Sequence, residues 1–247
     1  MAVKNQRIDL HLVQNGLARS RQHAQALIMA GQVLVNEEPV TKPSIGVAAD
    51  AAVRIKDEAL TYVSRGGLKL EAAIQAFHID VTGLSCLDVG ASTGGFTDCL
   101  LQNGARRVVA VDVGYGQLAW KLRQDNRVTV VERTNIRHMT SNALPYPVDL
   151  ITIDVSFISL RLVIPAVMKF VNPETRIIGL IKPQFEVGKK LVGKGGVVRD
   201  PELHEQVIAD LNAFVKEIGL TGPPVIPSPL LGPKGNREFL IYLEIEP

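Results

Sequence analysis

The sequence is short of several things. Only two of its 247 residues are cysteine, only 5% are aromatic, and 27 Lys and Arg nearly balance 25 Asp and Glu. Cys86 and Cys99 each lie in an apolar segment with no second Cys or His pair nearby, so neither a disulfide nor a zinc site is expected. The five histidines are scattered without metal-ligand spacing, and no metal is expected. No apolar run is long enough to span a bilayer, and Met1-Ala-Val-Lys-Asn-Gln-Arg7 lacks a signal-peptide core, so a cytoplasmic protein without membrane partners is expected. With a formal net charge of only +2, any affinity for nucleic acid requires a local cluster of basic residues. What is plentiful is hydrophobic residues, at 46%, enough to bury one large core or two unequal ones.

Residues 1–60 read as a small helix-helix-strand unit. Leu10, Val13 and Leu17 suggest one apolar stripe ending near Gly16. Ser20 can cap a second helix with Ala24, Leu27 and Ile28 facing inward and Gly31 stopping it. Val33–Val35 and Val53–Ile55 are short strand candidates. In the second predicted domain, residues 61–247, near-continuous apolar runs alternate with helical stretches from about residue 84. The runs begin at Cys86, Val108, Val128, Asp149 and Arg176, as expected for strands buried on both faces of a parallel sheet. Asp200-Pro201 opens a helix to about residue 217, and residues 238–245 form a last strand. The fold class expected is α/β, a doubly wound and mostly parallel sheet with an antiparallel last strand, preceded by a small α+β domain. No internal repeat is present, and no feature specifies an oligomeric state.

The first of these strands runs into Asp88-Val-Gly90-Ala91-Ser92-Thr-Gly94-Gly95-Phe96, a loop that opens a helix. Its glycines allow backbone to approach a ligand at the carboxyl end of the sheet. Ser92 occupies the position where a dinucleotide fingerprint requires its second glycine, which disfavours NAD. Asp112 ends the next strand, about 20 residues beyond Gly90, where a carboxylate can accept hydrogen bonds from ribose hydroxyls. Loop and acid together favour S-adenosylmethionine. Gly188 to Lys194 matches Gly-x-x-x-x-Gly-Lys, but Gly195 replaces the required Ser or Thr and no strand-loop-helix surrounds it. A flexible basic loop carrying Lys189, Lys190 and Lys194, able to touch RNA phosphates, is the better reading.

Asp154 ends the fourth strand and Lys182 the fifth, which places both at the crevice edge beside the loop. Glu238 begins the last strand and reaches the same edge if that strand is antiparallel. Lys69 lies on a helical stretch whose facing the pattern leaves open. Two lysines and two carboxylates in a half-buried crevice suit methyl transfer to a poorly acidic hydroxyl. A neighbouring cation and partial burial would favour the neutral amine of Lys182 as proton acceptor, with Asp154, Lys69 and Glu238 orienting it.

These segments carry a resemblance. Ser64-Arg-Gly-Gly-Leu-Lys69-Leu, Thr152-Ile-Asp154-Val-Ser-Phe, Leu180-Ile-Lys182-Pro and Asn236-Arg-Glu238-Phe resemble the Lys-Asp-Lys-Glu tetrad of FtsJ-like ribose 2′-O-methyltransferases. Arg7-Ile-Asp-Leu, Gly16-Leu-Ala-Arg19-Ser20-Arg21 and Leu27 to Asn36 are similar to the S4 RNA-binding domain, with Glu37 departing from the usual Gly. The whole chain thus resembles the TlyA (hemolysin A) family. That resemblance implies docking on ribosomal RNA or ribosomal subunits, a cytidine as target, Lys182 as the central catalytic group and Asn135 near the cofactor adenine. It extends the cofactor set to Asp88, Gly90, Ala91, Ser92, Gly94, Gly95, Phe96, Asp112, Asn135 and Asp154. An RNA face on the N-terminal unit has independent support: Lys4, Arg7, Arg19 and Arg21 against Asp9 leave residues 1–35 with a net charge of +3. Two other functions fit the sequence less well. A membrane-active hemolysin lacks any spanning or strongly basic amphipathic segment, and a non-catalytic assembly factor would have no use for an intact tetrad.

Overall fold

The computed structural model describes residues 6–18, 20–36, 38–48, 51–55, 61–188 and 191–246. The chain divides into two compact units, Met1–Ala59 and Leu60–Pro247.

In the first unit, α1 (Ile8–Gln14) packs with α2 (Arg21–Met29). Strand β1 (Gln6–Arg7) pairs antiparallel with β4 (Gly46–Val47). Strand β2 (Val33–Val35) lies between β3 (Glu38–Val40) and β5 (Val53–Ile55), antiparallel to both. The α2 cap is as expected: Ser20 Oγ accepts from His23 N at 3.2 Å. The stripe expected on the first helix is corrected. The helix ends at Gln14, Leu17 lies beyond it and Leu10 is exposed, while Ile8 and Leu12 enter the core with Ala24, Ile28, Val33 and Val47. Asp9 is drawn in beside them because cationic side chains meet its carboxylate.

The second unit is built on β6 (Ser85–Val89), β7 (Arg107–Val111), β8 (Val128–Val131), β9 (Leu150–Ile153) and β10 (Arg176–Ile181). These are parallel, in the order β8-β7-β6-β9-β10. Beyond β10 lies β13 (Phe239–Ile245), antiparallel to it, followed by the short β11 (Leu220–Thr221); β12 (Ile226–Pro227) also pairs with β13. Because both sheet faces are covered, strand residues alternate between two buried cores. Leu87, Val89, Val109, Val111, Ile151 and Ile153 face α6 (Leu160–Val167) and α8 (Pro201–Glu217), while the one-turn helices α5 (Trp120–Arg123) and α7 (Pro183–Glu186) follow β7 and β10. Cys86, Val108, Ala110 and Leu150 face α3 (Gly66–Ala76) and α4 (Gly95–Gln102). Each fully buried aliphatic side chain contributes about 1.5–3 kcal/mol. Cys86 and Cys99 are free thiols within the second core. Asp200 caps α8 by accepting from Glu202 N at 3.0 Å, with Pro201 in the first turn.

Candidate active site

Strand order reverses between β6 and β9, and a doubly wound sheet opens its ligand crevice at that point. Here Gly90 leaves β6 with φ 86°, and a Cβ on it would lie 2.5 Å from the Asp154 carbonyl oxygen. The two strand ends therefore meet backbone to backbone, which only glycine permits. Two cavities flank this contact, of about 480 and 420 Å³, and Gly90, Ser92, Asp154 and Ser156 border both.

Asp112, Val113, Gln117, Asn135 and Ile136 line the smaller cavity. The Asp112 carboxylate accepts from Ser92 N at 2.8 Å and from Gly114 N at 2.6 Å, so it holds the glycine loop as well as facing the cavity. Asn135 Oδ1 caps the short turn Ile136–His138 by accepting from Arg137 N at 3.1 Å. At the rim, Phe157 is 90% exposed with φ 66° and leans on Phe185, ring centroids 5.2 Å apart.

The larger cavity collects Ala91, Gly95, Phe96 and the four predicted charges. They form two ion pairs. Lys182 Nζ is 2.6 Å from Asp154 Oδ1 and donates to Ser156 Oγ at 3.1 Å. Lys69 Nζ donates to Glu238 Oε2 at 2.5 Å. The register explains their meeting: Ile181 pairs with Phe239, so Lys182 leaving β10 and Glu238 entering β13 stand at the same sheet edge. Helix α3 supplies Lys69 from the other side. Lys182 thus finds a carboxylate and a hydroxyl as its direct partners, in place of the cationic neighbour that the expectation of a neutral amine relied on.

Two predicted cofactor residues lie elsewhere. Asp88 borders neither cavity; it is fully buried on the α4 side of β6 and accepts from Thr97 Oγ1 at 2.6 Å and Thr152 Oγ1 at 3.1 Å. Burial, only partly offset by those hydroxyls, pushes its pKa up to about 7. Gly94 starts α4 with φ 98° and packs towards Leu118 and Leu122, behind the loop. Conversely, Ser64, Arg65, Thr93, Ser156 and the segment Leu230–Pro233 line the larger cavity and were not predicted. Ser156 was within reach of sequence reasoning, two residues past Asp154 on the same strand exit. The 230–233 segment carries no chemical signature.

Among the predicted RNA contacts, Arg7 and Arg21 converge on Asp9. Arg7 donates through Nε and Nη2 at 3.0 and 2.9 Å, and Arg21 Nε and Gln25 Nε2 each donate at 3.1 Å. The Arg7 guanidinium, chiefly, holds the Asp9 carboxyl well below the usual carboxylate range. Lys194 is exposed on the turn closed by the Gly193–Val197 bridge. Lys4, Arg19, Lys189 and Lys190 lie outside the described residues. Among the described residues, no helix is long and apolar enough to cross a membrane, and no group of three or more Asp, Glu, His or Cys side chains could hold a metal ion.

A parallel sheet with this strand order, an antiparallel strand beside β10 and a glycine loop at the switch point define a methyltransferase fold. The chain belongs to the FtsJ-like methyltransferase family, whose family model matches residues 62–245, and residues 6–53 match the S4 domain. It is 49% identical over 241 residues to the 16S/23S rRNA (cytidine-2'-O)-methyltransferase TlyA of Mycobacterium tuberculosis, covering 97% of this chain and 90% of that protein. It is 40% identical over 243 residues to Hemolysin A of Brachyspira hyodysenteriae, covering 97% and 100%. A solved structure described as a hemolysin from Streptococcus thermophilus superposes with a TM-score of 0.78 at 42% identity, over 99% of this chain and 90% of that one.

Proposed function

We propose that this chain transfers a methyl group from S-adenosylmethionine to a ribose 2′-hydroxyl of ribosomal RNA, on a cytidine as in the Mycobacterium tuberculosis relative. The observation that carries the reading is the pair of lysine-carboxylate contacts at one sheet edge, beside a cavity fit for an adenosine. The fit rests on three features. Gly90, with no side chain, lets the end of β6 close onto the Asp154 backbone at the border of the cavity, Asp112 offers carboxylate oxygens to ribose hydroxyls, and Val113 and Ile136 give apolar wall for a flat base. Ala91, Ser92, Gly95, Phe96, Asn135 and Asp154 complete the cofactor set.

S-adenosylmethionine supplies a methyl carbon made electrophilic by its sulfonium. This chain's residues supply alignment and proton transfer. Lys182 Nζ, fixed by Asp154 and Ser156, must first release a proton to solvent; its free amine then takes the proton of the attacking hydroxyl, and the Asp154 carboxylate 2.6 Å away holds the ammonium so restored. Lys69 and Glu238, locked to each other, shape the opposite wall and keep the hydroxyl in line with the methyl carbon. Phe157, exposed at the rim, offers a ring on which the target base can stack. The N-terminal unit meets RNA phosphates with Arg7 and Arg21, and with Lys4 and Arg19; Lys189, Lys190 and Lys194 serve the catalytic unit in the same way. The setting for such a reaction is the cytoplasm.

The test is transfer of tritium from methyl-labelled S-adenosylmethionine to isolated ribosomal subunits, with the methylated ribose mapped. Lys182→Ala is expected to lower the rate about 10²- to 10⁴-fold. Full activity in that variant sinks the proton-transfer role, and no transfer by the unaltered chain sinks the methyltransferase reading.

A further inference from the structure

Glu238 is buried, and its two carboxylate oxygens are treated very differently. Oε2 takes the Lys69 ammonium, whereas Oε1 is out of solvent without a hydrogen-bond partner among the described residues. An unpartnered buried acceptor is destabilising and readily takes any donor that can reach it. Gly232 covers that oxygen: it lies so close over the carboxylate that a Cβ there would sit 1.9 Å from Oε1. Something must hold that segment down.

The side chain of Asn236, itself buried, spans two loops far apart in sequence. Its Oδ1 accepts from Val198 N at 3.0 Å, and its Nδ2 donates to Gly196 O at 3.0 Å and to Pro233 O at 3.1 Å. Its backbone carbonyl accepts from Gly232 N at 2.8 Å. Val198 is in turn pinned to α8, because its carbonyl lies 3.0 Å from His204 Nε2, and the His204 ring packs edge-on against Phe239. Thus a run of contacts leads from a 17-residue helix to the wall over Glu238.

We propose that Asn236 is a positioning residue for the methyl-transfer site, a clasp that keeps Gly232 across Glu238 and so holds the Lys69–Glu238 pair in one geometry. The clasp acts on the reacting groups rather than on ligand affinity, so it governs turnover. This inference rests on the methyltransferase reading above.

Asn236→Ala in the full chain, assayed with isolated ribosomal subunits, is expected to lower kcat about 10-fold or more. KM for the subunits and the calorimetric Kd for S-adenosylmethionine are expected to stay within about twofold. An unchanged kcat, or a loss carried wholly by KM for the subunits, overturns the clasp. Should Asn236→Ala fail to fold, Gly232→Ala decides, since its methyl group must lift the wall from Glu238; full kcat in that variant overturns the inference. Hydrogen exchange separates the clasp from the reaction. Residues 193–198 and 230–236 are expected to lose protection together in Asn236→Ala, even if the unaltered chain methylates nothing, and loosening of one loop alone overturns the clasp.

Discussion

Asp9 in the N-terminal unit and Asp88 in the catalytic unit are both completely buried, yet Asp9 meets two guanidinium groups and an amide while Asp88 meets two hydroxyls. The first is held ionised far below the usual carboxylate range; the second is pushed up to about 7. Neither side chain touches solvent, but Asp88 lies deep in its core and Asp9 close to the surface, so depth and partners together decide the charge. The roles follow. Asp9 spends its charge on arranging two arginines whose outer faces remain in solvent. Asp88 ties β6, β9 and α4 together where a fixed negative charge has no cation to meet.

The same substitution at both positions should therefore act with opposite sign. Asp88→Asn has the largest expected effect. The folded pKa of Asp88 lies above its unfolded value, so its stabilising contribution is full below about pH 4 and lost as pH rises through 7. Urea unfolding of the unaltered chain is expected to carry this acid-favoured component, up to about 4 kcal/mol between pH 4 and 8. Asp88→Asn should abolish it and gain stability at pH 8; a loss there, with the slope retained, breaks the comparison.

Asp9→Asn should destabilise the N-terminal unit by about 2 kcal/mol at pH 7, less than a fully dry pair because both arginines are half-exposed. Its sign is reversed. The depressed pKa of Asp9 gives stability that is present above about pH 4 and lost as pH falls, so the penalty of Asp9→Asn should shrink in acid. Subunit binding measured by filter retention should weaken along with it if Arg7 and Arg21 meet phosphates. The smallest effect sharpens the second half of the comparison. Thr97→Val removes the 2.6 Å hydroxyl donor to Asp88 and should cost about 1 kcal/mol at pH 8, where the carboxylate needs that donor, and less at pH 5.

The parallel sheet was legible because strands covered on both faces are written as unbroken apolar runs. The strand expected from Val128 begins there, Pro201–Glu217 matches its expected limits, and the antiparallel direction of the last strand brings Glu238 to the edge that carries Lys182. Less was legible where an element is short or its facing depends on distant partners. Helix α1 has only seven residues, and its buried face is set partly by Arg21 and Gln25 reaching back to Asp9, which no local periodicity records. For Asp88 the position beside the loop was readable but its direction was not, since an apolar run on both faces hides the alternation. Its register partner Thr152 on β9 settles which core it enters. The cavity wall at residues 230–233 came from backbone proximity alone.

The antiparallel return of β13 also orders events in time. Lys69 and Glu238 are 169 residues apart, and β13 enters the sheet between β10 and β11, not at a free edge. A chain emerging from synthesis carries its glycine loop, Asp154 and Lys182 well before the residue that locks Lys69 exists. Closure of so distant a contact belongs among the late steps of folding. The cavity wall is therefore finished by the same strand insertion that completes the sheet, and a half-made chain has a crevice but no aligned set of charges within it.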